Sequence, residues 1–239
     1  MMRPGRDEVH IWLREVPDAG TDTDTGTGVD GDPLVLGGAR EAAVVLDAGE
    51  LERAGRFRRA VDRERYTAAH LMLRRVLGGY LGLPPGQVAF TREPCPCCGA
   101  PHGRPAPADT ASGLHFSLSH AGPLVLVAVA AREVGADVEA LPEPATVADL
   151  ATVLHPAERA ELAEAAGTDR LPREFARLWT RKEAYLKGIG SGLGRAPELD
   201  YVGSRQPAPA GWALADLDLP AGFAAAVALR GDAPVLVRR

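Results

Sequence analysis

The sequence predicts an α+β protein built of two similar halves, packed as a pseudo-dimer with its site at the interface between them. Three observations carry this prediction. Two segments, 61–81 and 172–188, have helical character, and each leads into short apolar runs of strand character. A similar pentapeptide precedes each, Leu46-Asp47-Ala48-Gly49-Glu50 and Leu154-His155-Pro156-Ala157-Glu158. Aligning Asp62-Arg63-Glu64 with Pro172-Arg173-Glu174, an offset of 110 residues, puts Gly78 on Gly188 and Leu83 on Leu193. Repeated units meet at a seam, and a seam is a favoured place for a ligand. The halves are expected at residues 1–120 and 121–239.

In chain order, Val9-His10-Ile11-Trp12-Leu13 reads as a first strand. Residues 21–32 are Thr, Asp and Gly with one Val, so a mobile loop is expected over 18–33. Residues 46–55 form a short helix. In 61–81, Tyr66, Ala69, Leu73, Val76, Leu77 and Tyr80 make one stripe at helical spacing, and Gly82 with Pro84-Pro85 ends it. A strand at 88–91 is followed by a Pro/Cys/Gly-rich loop at 93–107. Residues 114–120 and 124–131 pair across Ala121-Gly122-Pro123, and another strand, 134–139, follows a tight turn. Helices are expected at 155–166, started by Pro156, and at 172–188. Strands are expected at 199–202, 211–217, 223–229 and 235–237. Trp12 and Trp212 belong to the core, and His70 receives no role.

The chain has 239 residues, enough for one large domain or two small ones. Its 27 basic residues against 32 acidic ones argue against bulk nucleic-acid binding, which needs a basic footprint. No apolar run approaches the ~20 residues of a membrane span. The first seven residues are charged and lack the apolar core of a secretion signal. Cys95, Cys97 and Cys98 lie too close together for a disulfide framework. A reduced, cytoplasmic protein is expected.

The chemistry centres on Val134-Gly135-Ala136-Asp137-Val138-Glu139. On an extended chain residues i and i+2 share a face, so Asp137 and Glu139 aim two carboxylates one way while Ala136 and Val138 point inward. Paired carboxylates repel unless a cation sits between them, and Mg²⁺ takes oxygen ligands from one or two carboxylates and a substrate phosphate. A solvated strand face is the plain alternative. In 172–188, Glu183 and Lys187 stand one helical turn apart and Trp179 one turn before Glu183. Gly188-Ile189-Gly190-Ser191-Gly192 then allows close backbone approach to a ligand. If Glu183 faces the seam, it joins Asp137 and Glu139 in a three-carboxylate site. The plain alternative is a surface ion pair between Glu183 and Lys187.

Phe116-Ser117-Leu118-Ser119-His120, Gly135-Ala136-Asp137-Val138-Glu139 and Trp179-Thr180-Arg181-Lys182-Glu183-Ala184-Tyr185-Leu186-Lys187 together resemble a family signature. The pattern F-N-x-S-H-S, G-x-D-x-E, W-x-x-K-E-x-x-x-K is that of the 4′-phosphopantetheinyl transferases, in their longer, surfactin-synthetase-activating type. The match covers the chain from about Leu46 onward. The resemblance implies transfer of the phosphopantetheine arm of coenzyme A to a serine of an apo acyl or peptidyl carrier protein. Adenosine 3′,5′-bisphosphate is released and Mg²⁺ is used, as in a holo-acyl-carrier-protein synthase. It implies Asp137, Glu139 and Glu183 as metal ligands, and Lys187 as a cation on the diphosphate. Arg53, Arg65, Ser119, His120, Lys182 and Gly103-Arg104-Pro105 are implied on the coenzyme A side. It further implies a monomer that meets its carriers transiently at the seam, near residues 153–162. No nucleic-acid or membrane partner is expected. Coenzyme A carries three phosphates, which calls for Arg and Lys in the pocket despite the acidic total. The attacking serine belongs to the carrier, so only a base is needed here; Glu183, directly or through metal-bound water, fills that role. The chain departs from the pattern at Ser117 (usually Asn), Ala121 (usually Ser) and Arg104 (usually Lys), which puts those side-chain contacts in question.

Other readings use the same residues. A metal-dependent phosphohydrolase or nucleotidyl transferase would need the same carboxylates and lysines. A serine hydrolase is disfavoured because Ser119 and His120 are strand neighbours that face opposite ways. Cys95, Cys98 and His102 have the spacing of zinc ligands, with Cys97 as a possible fourth, which would make the chain in part a zinc-braced or carrier-docking module. Reduced free thiols in a loop are the plain alternative.

Overall fold

The computed structural model describes residues 3–16 and 39–239. The loop expected at 18–33 lies outside them. The elements in order are β1 (Glu8–Glu15), α1 (Ala39–Val45), α2 (Ala48–Gly55), α3 (Ala60–Leu81), β2 (Phe90–Arg92), β3 (Pro105–Pro107), β4 (His115–Ala121) and β5 (Leu124–Ala130). Then come β6 (Val134–Ala140), α4 (Pro144–Leu150), α5 (Pro156–Ala163), α6 (Leu171–Ile189), β7 (Trp212–Leu217), β8 (Phe223–Arg230) and β9 (Val235–Arg238). None of the described helices is long and apolar enough to cross a membrane.

Strand alternation sorts the side chains into layers. In β5, Val125, Val127 and Val129 face α3, while Leu124, Leu126, Ala128 and Ala130 face the second sheet. In β8, Ala226 and Ala228 face α6, while Ala225, Val227 and Leu229 face the first sheet. The order is therefore α3, the sheet β4-β5-β1-β9, the sheet β6-β8-β7, then α6. The expected stripe of α3 is buried throughout, with Ala69 and Leu77 fully so. Truncating such a leucine to alanine costs about 2–5 kcal/mol.

The sheets redraw the expected halves. A boundary at 120/121 cuts the last residue from β4, whose antiparallel neighbour is β5 (His115 opposite Ala130). The chain changes sheet between β5 and β6, and β9 returns to lie parallel to β1, with Val9 opposite Leu236. β5 and β6 are consecutive but do not form a hairpin.

The internal repeat keeps the 108-residue offset of the pentapeptides throughout, and the long helices follow it in place of the expected 110. Asp47 and His155 are both N-caps that close a capping box with Glu50 and Glu158. Each of these glutamates pairs with a buried cation on the following long helix, Arg74 at 2.7 Å and Lys182 at 2.9 Å. Both long helices end on a left-handed glycine, Gly82 and Gly190. All four pairs (Asp47/His155, Glu50/Glu158, Arg74/Lys182, Gly82/Gly190) are the same 108 positions apart.

Two expected strands are displaced for the same reason. Residues 199–202 form no strand, because side chains satisfy the backbone: Glu158 accepts from Val202 N at 2.7 Å, and Arg181 donates to the carbonyls of Val202 and Gly203. Residues 88–91 yield only the start of β2, since Arg74 takes the Val88 carbonyl at 2.8 Å. Helices α1 and α4 were not anticipated.

Candidate functional site

Helix α6 lies directly on β6 because two glycines allow it. A Cβ on Gly135 would stand 1.9 Å from the Ala184 carbonyl oxygen, and one on Gly188 would stand 2.6 Å from the Trp212 ring. This approach puts the outward face of β6 (Gly135, Asp137, Glu139) against the Glu183 and Lys187 turns of α6. The opposite face of β6, Val134, Ala136 and Val138, is buried between the sheets as alternation requires.

β4 runs beside β6 without a backbone ladder, and two serine hydroxyls bridge the gap. Ser117 Oγ accepts from Ala136 N at 2.9 Å. Ser119 Oγ accepts from Val138 N at 3.3 Å and donates to Asp137 Oδ1 at 2.8 Å. Lys187 Nζ donates to the same Asp137 oxygen at 2.6 Å and to Ser119 Oγ at 3.1 Å. Asp137 is 2% exposed, and its Oδ2 is buried with no hydrogen-bond partner.

The electrostatics show an excess of negative charge. Burial raises the Asp137 carboxyl, opposed by Lys187 and Ser119. Burial first, then Asp137 and Glu183, push Glu139 up to about 7. Burial and Asp137 likewise raise Glu183. One ammonium, Lys187, opposes the shift of all three acids. Asp137, Glu139 and Glu183 do not close to within 4.8 Å as a donor set; among the described residues Cys95, Cys98 and His102 do. An orphaned carboxylate oxygen and a glutamate held near neutrality fit a divalent cation, which would supply the missing positive charge.

Next to this cluster is a cavity of about 540 Å³ that spans both halves. Lys187, Gly190, Ser191 and Gly192 form its α6 side; Arg53, His102, Gly103, Arg104, Pro105 and His120 come from the first half. Burial first, then the neighbouring His70, Lys187 and Arg65, hold the His120 imidazole below its usual range. Arg104 fastens the cavity wall across the seam: it donates to the Gly188 carbonyl at 2.6 Å and pairs with Glu93 at 2.7 Å.

Four residues singled out in the sequence stand elsewhere. Lys182 was expected on the coenzyme A side, but it is fully buried against Glu158 and the Asp200 carbonyl, because it sits on the α6 face opposite Lys187. Ser119 holds Asp137 in place of lining the cavity, its hydroxyl being committed to β6 and Lys187. Trp179 stacks on Phe175, ring centres 6.0 Å apart, and packs on the α4–α5 cluster. Arg65 lies close enough to His120 to lower its pKa but is not in the cavity wall. Conversely, Phe57, Tyr66, His70 and Arg92 line the cavity and were not singled out. Tyr66 and His70 stand one turn apart on α3 with rings 4.1 Å apart, and His70 meets Glu50 at 2.9 Å. An aromatic beside a histidine at that spacing was the available signal.

The chain is similar to known proteins over most of its described length. Residues 133–223 match the model of the 4′-phosphopantetheinyl transferase superfamily, and residues 39–132 match that of the 4′-phosphopantetheinyl transferase N-terminal region. The two models meet at the change of sheet between β5 and β6. The chain is 37% identical over 201 residues to the 4′-phosphopantetheinyl transferase HetI of Nostoc sp., covering 80% of this chain and 81% of that one. It is 28% identical over 161 residues to a 4′-phosphopantetheinyl transferase of Bacillus subtilis, covering 67% of each.

Proposed function

This chain belongs to the 4′-phosphopantetheinyl transferase superfamily, and from that premise we propose that it moves the phosphopantetheine arm of coenzyme A to a serine of an apo acyl or peptidyl carrier protein, releasing adenosine 3′,5′-bisphosphate with Mg²⁺ as cofactor. The observation that carries this reading is the position of the Asp137–Lys187 pair, 2.6 Å apart, beside a cavity lined with basic residues. In this reading the nucleotide end lies among Arg53, His120 and the Gly103-Arg104-Pro105 wall. Lys187 then faces the diphosphate.

Asp137, Glu139 and Glu183 are the residues that would hold Mg²⁺, which when bound neutralises charge on the diphosphate. Burial and the Asp137 charge raise the Glu183 pKa, which makes its carboxylate a stronger base. Its carboxylate takes the proton of the carrier serine. The serine oxygen bonds to the pantetheine-side phosphorus, and the bond from that phosphorus to the bridging oxygen breaks. Lys187 meets the charge that collects on the leaving bisphosphate. Ser119 keeps Asp137 and Lys187 in register through their shared hydroxyl contact. The carrier docks on the apolar groove of about 330 Å³ formed by α4, α5 and the start of α6, where the half-buried Ala151 and Leu171 leave apolar surface for a partner helix.

The test is incubation with coenzyme A, Mg²⁺ and a panel of apo carriers, read by carrier mass. A gain of one phosphopantetheinyl group supports the reading; breakdown of coenzyme A with no carrier gain points to a phosphohydrolase. Glu183→Gln should abolish transfer while coenzyme A binding persists. Unchanged turnover would remove Glu183 from the mechanism.

A further inference from the structure

We propose that Cys95, Cys98 and His102 form a structural zinc site that pins the 93–104 loop to the wall of the cavity. Their donor atoms lie within 4.8 Å of one another, and Cys98 Sγ stands 3.0 Å from His102 Nε2. Zinc bonds of about 2.3 Å to sulfur and 2.0 Å to nitrogen place tetrahedral ligands roughly 3.3–3.8 Å apart, so the cluster needs only small side-chain adjustment.

The backbone already has the shape of a metal knuckle. Cys95 N donates to the Ala100 carbonyl and Gly99 N to the Cys95 carbonyl, both at 2.8 Å. Gly99 has φ +75°, which lets the chain reverse between the two cysteines and the histidine. The amides of Cys97 and Cys98 point at the Cys95 sulfur, an arrangement that supports a ligating sulfur. Cys97 Sγ lies beside the Cys95 sulfur but outside the set of donors that close to within 4.8 Å of one another, which leaves the fourth position to water.

The loop has little else to hold it. Of residues 93–104 only Cys95 and Gly103 are buried, so no apolar core compensates the entropy of ordering it. Yet it must stay ordered, because His102, Gly103 and Arg104 line the cavity and Arg104 reaches the Gly188 carbonyl across the seam. A sulfur-rich tetrahedral set selects Zn²⁺ over Mg²⁺, so the two metals would not compete for this site.

The proposal's consequence for coenzyme A rests on the function proposed above; its metal content does not, and is read with neither coenzyme A nor carrier present. Protein prepared with Zn²⁺ and without chelator should carry about one zinc per chain, and Cys95→Ser or Cys98→Ser should leave less than about a tenth of that. Cys97→Ser should keep the zinc. Co²⁺ added to chelator-treated wild-type protein should give the visible spectrum of a tetrahedral thiolate site, a readout that needs no variant to fold. Cys98→Ser should weaken coenzyme A binding several-fold with little change in kcat. Wild-type protein without zinc, a Cys95–Cys98 disulfide in the native protein, or equal zinc loss in Cys97→Ser would overturn the assignment.

Discussion

The two oxygens of Asp137 have different surroundings. Oδ1 accepts from Ser119 and Lys187, while Oδ2 is buried with nothing to accept from. Ser119→Ala removes the donor to Oδ1 and the acceptor for Val138 N, and leaving such buried groups unpaired costs about 1–3 kcal/mol. Chemical denaturation should show that loss together with a fall in kcat; an unchanged midpoint would mean the hydroxyl is dispensable. Glu139 sets the pH behaviour. Its folded pKa of about 7 lies above the ordinary 4.5, so the folded protein holds this proton more tightly than the unfolded chain. The associated stability is fully present below about pH 4.5 and is lost as pH rises through about 7. In chelator, the melting temperature should therefore fall between pH 5.5 and 8.5. Mg²⁺ should restore more of it at pH 8.5 than at pH 5.5, because protons compete for the same oxygens. An equal Mg²⁺ effect at both pH values would exclude Glu139 as a ligand. The strand period made Asp137 and Glu139 legible in the sequence. The role of Ser119 was hidden, because only the lateral fit of β4 against β6 gives its hydroxyl three partners.

Helix α6 carries two lysines with opposite duties. Lys187 is about a third exposed and reaches Asp137; Lys182 is sealed against Glu158. Removing one partner of a buried pair strands the other charge, at about 3–5 kcal/mol. Lys182→Met should therefore destabilise by that amount, whereas Lys187→Met should abolish transfer with a far smaller stability change. The opposite pattern in thermal denaturation and turnover would reverse the assignments. The motif placed both lysines on one helix, but helical phase alone does not say which turn faces a glutamate from α5. The same element shows why Gly135 matters. Its missing Cβ is what brings α6 onto β6, so Gly135→Ala should cost at least about 2 kcal/mol through overpacking. Wild-type stability in that variant would mean the helix can shift outward freely. Arg74, held by Glu50, and the buried Glu158 also explain the displaced strands, since side chains that take backbone groups leave no signal in apolar periodicity.

At the scale of the molecule, the repeat was legible from its pentapeptides, and the structure corrects its offset by fixing caps, buried pairs and terminal glycines to one spacing. The exchange of strands was not legible, because β5 and β9 read as ordinary apolar runs and only the pairing shows that both join β1. With β9 crossing back and the two sheets sharing one apolar interface, the halves should melt together. Calorimetry should show one transition; two resolved transitions would mean the seam contributes little. The site lies at that seam, with the acids of β6 and α6 beside a cavity whose remaining wall comes from the first half. The most direct test is the dissociation constant of coenzyme A with and without Mg²⁺, for the wild type, Asp137→Asn and Glu183→Gln. The account predicts that Mg²⁺ tightens binding about tenfold or more, about 1.4 kcal/mol, in the wild type and in neither variant. The same Mg²⁺ enhancement in both variants would contradict it.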